Sequence, residues 1–285
     1  MTVTRPVVRW FGGKWKLAPW IISHFPPHRC YVEPFGGRAS VLMRKQPSYA
    51  EVYNDLDGDV VNLFRVLRSG DATELVRQIE LTPFAREEFD ASYDPPTDDI
   101  DRARRMVVKS FMGFGSNAHN SARVTGFRSN SNRSGTTPAK DWRNYPEALA
   151  GTIDRLRGVI VENRAAVKVM ASHDGLDTLH YVDPPYVWET RAPAKTTNKK
   201  YGGYVHEMSD DDHLQLLHFL RTLKGMVLIS GYANPIYDFQ LDDWERVETP
   251  SFADGAAART EFLWMNWQAY TRHHARQLEM LDGAA

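Results

Sequence analysis

The sequence predicts an α/β fold, a doubly wound and mostly parallel sheet, and three observations predict it. Short apolar strands alternate with amphipathic helical segments along most of the chain. The first strand runs into a paired glycine, Gly36-Gly37, and then a helix, the arrangement by which nucleotide-binding folds bring backbone close to a ligand. Two apolar runs close the chain as a hairpin, near Trp244 to Val247 and Phe262 to Trp267, adding an antiparallel edge.

The elements follow in order. Tyr31-Val32 is a short strand, Glu33-Pro34-Phe35-Gly36-Gly37 turns it, and Arg38 to Arg44 reads as a helix with Val41 and Leu42 apolar. A second strand, Ala50 to Tyr53, ends in Asn54-Asp55. Val60, Val61, Phe64 and Leu67 recur at helical spacing over Asp57 to Leu67. Glu74 to Ile79, Ala85 to Tyr93, Asp101 to Met112 and Tyr145 to Leu156 are helical in pattern. Strands resume at Val159 to Glu162, Leu179 to Val182 and Val227 to Ser230. Residues 1–68 and 156–285 therefore form one domain, and 69–155 a mainly helical insertion.

Composition narrows the class. At 285 residues, 42% of them hydrophobic, the chain is long enough for a large α/β core plus an insertion. One cysteine, Cys30, excludes an internal disulfide and a cysteine-based zinc site and fits a reducing compartment. The start of the chain has no apolar signal region and no stretch approaches a membrane span, so a soluble, cytoplasmic protein is expected. Net charge is only −1, but its distribution is uneven. Between Asp101 and Arg143 nine Lys/Arg face two Asp, the footprint of a phosphate-facing surface. For Arg102, Arg104 and Arg105 a solvated helix face explains the charge equally well. Residues 116–140 are rich in Ser, Asn, Gly and Arg and nearly bare of apolar side chains, so they cannot order alone. Arg123, Arg128, Asn130, Asn132 and Arg133 are the candidates there for contacts with double-stranded DNA, since Asn and Arg pair with adenine and guanine edges.

The chemistry points to Asp183-Pro184-Pro185-Tyr186, entered from Tyr181-Val182. An adenine amino group is a poor nucleophile because its lone pair is delocalised into the ring. Asp183 and a backbone carbonyl of the Asp-Pro unit, aimed at its hydrogens, would draw that pair back onto nitrogen. The prolines fix the acceptors, and Tyr186 is placed to stack on an extruded base. A strand end with a packing tyrosine accounts for the tetrapeptide equally well. Asp55, about 20 residues beyond the glycine turn, suits ribose hydroxyls, or a helix N-cap. After the tetrapeptide, Arg191, Lys195 and Lys199 lie on a basic segment able to grip phosphates beside an extruded base, or to be an ordinary loop. Ser209-Asp210-Asp211-Asp212-His213 reads as a capped, acidic helix start, not a metal site. His273-His274 reads as surface.

The ordered set Trp10-Phe11-Gly12-Gly13-Lys14, Glu33-Pro34-Phe35-Gly36-Gly37, Asn54-Asp55 and Asp183-Pro184-Pro185-Tyr186 resembles the Dam-type (D12 class, alpha-group) N6-adenine DNA methyltransferases. Val227 to Tyr232 resembles the family's later strand and turn. The resemblance implies a Rossmann-like methyltransferase fold with residues 69–155 as the target-recognition domain. It implies S-adenosyl-L-methionine as cofactor, held by Trp10, Lys14, Glu33, Phe35, Gly36, Gly37, Asp55 and Asp183. It places the flipped adenine against Asp183, Pro184, Pro185 and Tyr186. Arg38 departs from the small residue usual in that turn. An N4-cytosine or RNA methyltransferase, or a silent DNA-binding regulator of the same fold, are the alternatives; one asymmetric insertion suits a monomer or weak dimer.

Overall fold

The structure, a computed structural model, describes residues 3–9, 12–115, 125–130, 135–191, 204–252 and 258–282. They divide into two compact units, one of residues 1–13 and 57–163, the other of 14–56 and 164–285. No helix among the described residues is long and apolar enough to cross a membrane.

The second unit is built on strands β1 (Cys30–Glu33), β2 (Ala50–Asn54), β4 (Thr178–Val182), β5 (Met226–Gly231), β6 (Glu245–Phe252) and β7 (Ala258–Met265); β3 (Val159–Glu162) falls in the first unit. In this unit they lie in the order β2-β1-β4-β5-β7-β6. β1 pairs in parallel with β2 and β4, and β4 with β5, with Val32 opposite both Val52 and His180. β7 runs antiparallel between β5 and β6, so the expected closing hairpin is present and longer than its apolar runs suggested. β4 and β5 are buried at every position, as central strands covered on both faces must be. Helices Ala166–His173 and Asp210–Leu220 contribute Val169, Met170, Leu216, Leu217 and Leu220 to a core with Val32, Val182, Ile229 and Trp264.

The helix Asp210–Leu220 starts as its sequence requires. Ser209 Oγ accepts from the Asp212 N–H at 3.2 Å, and Asp212 Oδ2 accepts from the Ser209 N–H at 2.8 Å, a reciprocal capping box. The terminal helix Trp267–Asp282, which the sequence did not announce, packs on β5 and β7. It corrects one expectation: His273 is not surface but buried, its ring stacked on His24 at 5.8 Å, while His274 is exposed. On a helix, adjacent positions point about 100° apart, so one of two neighbouring histidines turns inward.

In the first unit, helices Gly58–Arg68 and Asp99–Met112 pack together, burying Leu63, Phe64, Met106 and Val107. Asp57 caps the first of these, accepting from the Asp59 N–H at 2.9 Å, so the cap role weighed for Asp55 belongs to Asp57. Trp142, on helix Pro138–Arg143, donates its indole N–H to Thr82 O at 2.8 Å. Gly113 and Phe127 bridge antiparallel, with the Arg128 N–H donating to Met112 O at 2.7 Å.

The turn after β1 is locked to the end of β2. The Gly36 N–H donates to Asn54 O at 2.8 Å, the Tyr53 hydroxyl to Gly37 O at 2.6 Å, and the Asn54 amide to Pro34 O at 2.9 Å. A Cβ on Gly36 would stand 2.2 Å from the Tyr53 ring, which is itself fully buried. Gly36→Ala is therefore expected to destabilise the protein by about 1–3 kcal/mol, with Tyr53 or the turn displaced. Urea unfolding checks this, and an unchanged midpoint would mean the turn relaxes freely.

Candidate active site

Because β1 has β2 on one side and β4 on the other, the crossovers on its two sides lead to opposite faces of the sheet. In open parallel sheets the crevice at the carboxyl ends of such neighbouring strands is the ligand site. The glycine turn leaves the carboxyl end of β1, and Asp183-Pro184-Pro185-Tyr186 leaves that of β4, its neighbour. The sheet thus brings together two motifs about 150 residues apart in sequence.

The turn has unusual backbone. Gly37 has φ 49°, and Ala39, at the head of helix Ser40–Arg44, has φ 55°. A left-handed alanine costs about 1 kcal/mol, and such strain gathers at ligand sites. Asp55 holds the turn from the end of β2, its Oδ2 accepting from the Gly37 N–H at 2.7 Å. Phe35 is half-buried against the core, and Arg38 donates its Nε–H to Ser40 Oγ at 2.8 Å. Glu33, expected among the cofactor contacts, has internal partners. It is buried, and its Oε2 accepts from the Tyr31 hydroxyl at 2.8 Å and the Leu42 N–H at 2.9 Å, so it braces the turn from within.

At the other motif four side chains converge. Lys14 Nζ lies 3.1 Å from Asp183 Oδ1 and 3.3 Å from Glu261 Oε1 on β7. The same ammonium stands 4.4 Å from the centroid of the Tyr186 ring. The Tyr186 hydroxyl donates to Glu261 Oε1, and the ring meets Tyr232 edge-on at 4.9 Å. Lys14 and Glu261 are 6% and 2% exposed, so their charges interact with little solvent screening. Burial favours a neutral Lys14, but Asp183 and then Glu261 outweigh it and hold the ammonium charged. Burial raises Asp183 above the ordinary carboxylate range; Lys14 opposes that shift and Glu261 adds to it. Burial also keeps the Tyr186 phenol protonated. Sequence reasoning missed Glu261, whose only signal was a lone acid at the head of the apolar run Phe262 to Met265.

Beside this cluster lies a cavity of about 650 Å³ whose walls include Val187, Tyr232, Pro235, Ile236, Phe262 and Arg259. Arg191 does not reach outward as its basic segment suggested. Its side chain is 7% exposed and ion-paired with Glu207, Nη1 to Oε1 at 3.2 Å. Arg128 is half-buried and Asn130 exposed. Trp10, Arg123, Asn132, Arg133, Lys195 and Lys199 lie outside the described residues.

The arrangement offers a half-buried carboxylate acceptor, Asp183, and an aromatic face beside a bare glycine turn. Comparison with known proteins is consistent with that reading. Residues 10–247 match the family described as D12 class N6 adenine-specific DNA methyltransferase. A DNA adenine methylase of Serratia marcescens is 31% identical over 105 residues, 33% of this chain and 38% of the relative. The DNA adenine methylase of Escherichia coli strain K12 is 30% identical over 105 residues, 33% and 37% of the two chains. That of Haemophilus influenzae is 32% identical over 65 residues, 22% of each. The chain thus spans under two-fifths of the length of the curated relatives it matches.

Glu33 generates a stability prediction. Burial raises its carboxyl to about 8, against the hydrogen bonds from Tyr31 and Leu42. The folded state therefore binds the proton more tightly than the unfolded state, whose value is 4.5. The stability that follows is full below pH 4.5 and lost as pH rises towards 8. Thermal melts across that window should show Tm falling for the wild type and a flatter profile for Glu33→Gln; parallel profiles would contradict it.

Proposed function

This chain belongs to the D12 class of N6 adenine-specific DNA methyltransferases, and we propose that it moves a methyl group from S-adenosyl-L-methionine to the N6 of an adenine flipped out of double-stranded DNA. The observation that carries this reading is the half-buried Asp183 carboxylate at the end of β4, with Tyr186 pinned directly after the two rigid prolines.

Asp183 accepts the hydrogens of the adenine amino group, together with the backbone carbonyl of Pro184. Localised on nitrogen, the lone pair would form the new nitrogen–carbon bond as the methyl–sulfur bond of the donor breaks and its electron pair stays on sulfur, and Asp183 would take the proton the nitrogen then sheds. Tyr186 stacks on the base, and its fixed hydroxyl keeps the ring from swinging with it. The neighbouring cavity beyond Tyr232 and Val187 gives room for the base and its sugar on the way in. Rate enhancement comes from positioning and electrostatics, supplied before the reaction by groups already in place.

The residues present suit the cofactor. The Gly36-Gly37 turn lacks side chains that would bar its approach, Asp55 offers a carboxylate at the end of β2, and Lys14 and Asp183 border the same crevice. Trp10, Lys14, Phe35, Gly36, Gly37, Asp55 and Asp183 would hold it. When bound, S-adenosyl-L-methionine supplies a methyl group already activated by its sulfonium charge. Within the insertion, residues 69–155, Arg128 and Asn130, with Arg123, Asn132 and Arg133, are the proposed DNA contacts, and Lys195 and Lys199 the proposed grip on flanking phosphates. We take the working species as a monomer or weak dimer in the cytoplasm.

Incubation with unmethylated genomic DNA and S-adenosyl-L-methionine, then modification-sensitive sequencing, should show N6-methyladenine at one short motif. N4-methylcytosine, or no modified base despite cofactor binding, would sink the assignment. Asp183→Asn should lower turnover by about 10²-fold or more while leaving the fold intact. Lys14 generates a pH prediction. Only ionised Asp183 can accept, and Lys14 is the charge that opposes its upward shift. Lys14→Met should therefore move the acid limb of the turnover profile to higher pH, and a limb that stays put or moves down would contradict this electrostatic reading.

A further inference from the structure

Glu261 lies beyond residue 247, where the family match ends, yet it faces the same cluster. It is 2% exposed, on β7, where it pairs opposite Thr249 of β6. A carboxylate so deeply buried costs several kcal/mol unless charges and donors compensate it. Its compensation comes from two catalytic-site groups, the Lys14 ammonium at 3.3 Å and the Tyr186 hydroxyl.

Those contacts raise a conflict within the proposed mechanism. Lys14 Nζ sits 3.1 Å from Asp183 Oδ1, on the carboxylate that an incoming amino group would use, and stands over the Tyr186 ring on which a base would stack. With Asp183 as its only counter-charge, the buried ammonium could not leave without becoming an unpaired charge. Glu261 removes that obstacle, because it offers a second carboxylate a short movement away. Building on the reading above, we propose that Glu261 is a positioning residue: it receives Lys14 when adenine takes Asp183, and it fixes Tyr186 through its hydroxyl. The two carboxylates then share one ammonium and one phenol in the resting site. The amino group substitutes for the ammonium at Asp183, and no buried charge is stranded.

The test is a cycle of variants measured on unmethylated DNA at saturating S-adenosyl-L-methionine. Glu261→Gln keeps an acceptor for Tyr186 but gives Lys14 no charge, so Lys14 stays on Asp183. Turnover should fall about tenfold or more, with KM for S-adenosyl-L-methionine within about threefold of wild type. In a Lys14→Met background nothing has to move, and Glu261→Gln should then change turnover less than about threefold. A residue that merely supports the fold would cost the same in both backgrounds. Equal losses in the two backgrounds, or turnover of Glu261→Gln within about twofold of wild type, overturn the proposal. Circular dichroism and Tm establish that each variant is folded, and Glu261→Asp, which keeps the charge, should hold turnover within about threefold of wild type; a folded Glu261→Asp that loses about tenfold or more overturns the proposal as well. Wild-type enzyme that makes no N6-methyladenine defeats both readings; active wild type with an additive cycle defeats this one alone.

Discussion

The candidate active site depends on one buried ammonium held between two carboxylates. Lys14 bridges Asp183 and Glu261 and lies over Tyr186, joining the N-terminal segment, the end of β4 and strand β7. Removing one member of such a buried pair costs about 3–5 kcal/mol, because the partner is left charged and unsolvated. That cost holds the three elements in register, and it also limits the chemistry. Desolvation lifts the Asp183 carboxyl above its ordinary range, and the Lys14 charge beside it is what opposes that shift.

The glycine turn meets a different constraint with hydrogen bonds and shape. Its backbone lies hard against the Tyr53 ring, so it carries no bulk at Gly36, and it adopts left-handed angles at Gly37 and Ala39. Such a segment would wander if unsupported. Asn54, Tyr53 and Asp55 tie it from β2, and Glu33 ties the following helix from within the core. The end of β2 therefore serves as the mould for the end of β1. Asp55 and Glu33, two acids at the ends of neighbouring strands, divide the work: one holds the Gly37 N–H of the turn, and the other the Leu42 N–H of the helix that follows.

How far the sequence could be read follows from the range of each interaction. Asp183-Pro184-Pro185-Tyr186 and the Gly36-Gly37 turn are legible because their function needs contiguous residues with rigid or bare backbones. Strand and helix cores were legible from periodicity, and the helix Tyr145–Leu156 carries the bounds its pattern implied. Glu261 was not, since its meaning arises 75 residues from Tyr186, through strand pairing that only the fold creates. The inward turn of His273 and the pairing of Arg191 with Glu207 were hidden for the same reason. A charged residue's type says that it needs a partner; the fold decides whether water, a neighbour or a ligand provides it.

The same distinction bears on the basic insertion. Its local excess of positive charge looked like a broad phosphate-facing surface, but much of it is already neutralised. Arg102 pairs with Asp59 at 2.7 Å, Arg105 with Asp101 at 2.6 Å, and Arg104 with both Asp101 at 2.9 Å and Glu88 at 3.3 Å. Lys109 is 6% exposed, where burial lowers its affinity for a proton. These four cations hold the helix Asp99–Met112 in its own unit and are poorly placed to release counterions from DNA. Arg128, Lys140 and Arg143 remain at or near the surface among the described residues. Only phosphates neutralised by accessible cations contribute to the salt dependence of binding, so in the proposed role these four buried or paired cations add little to it.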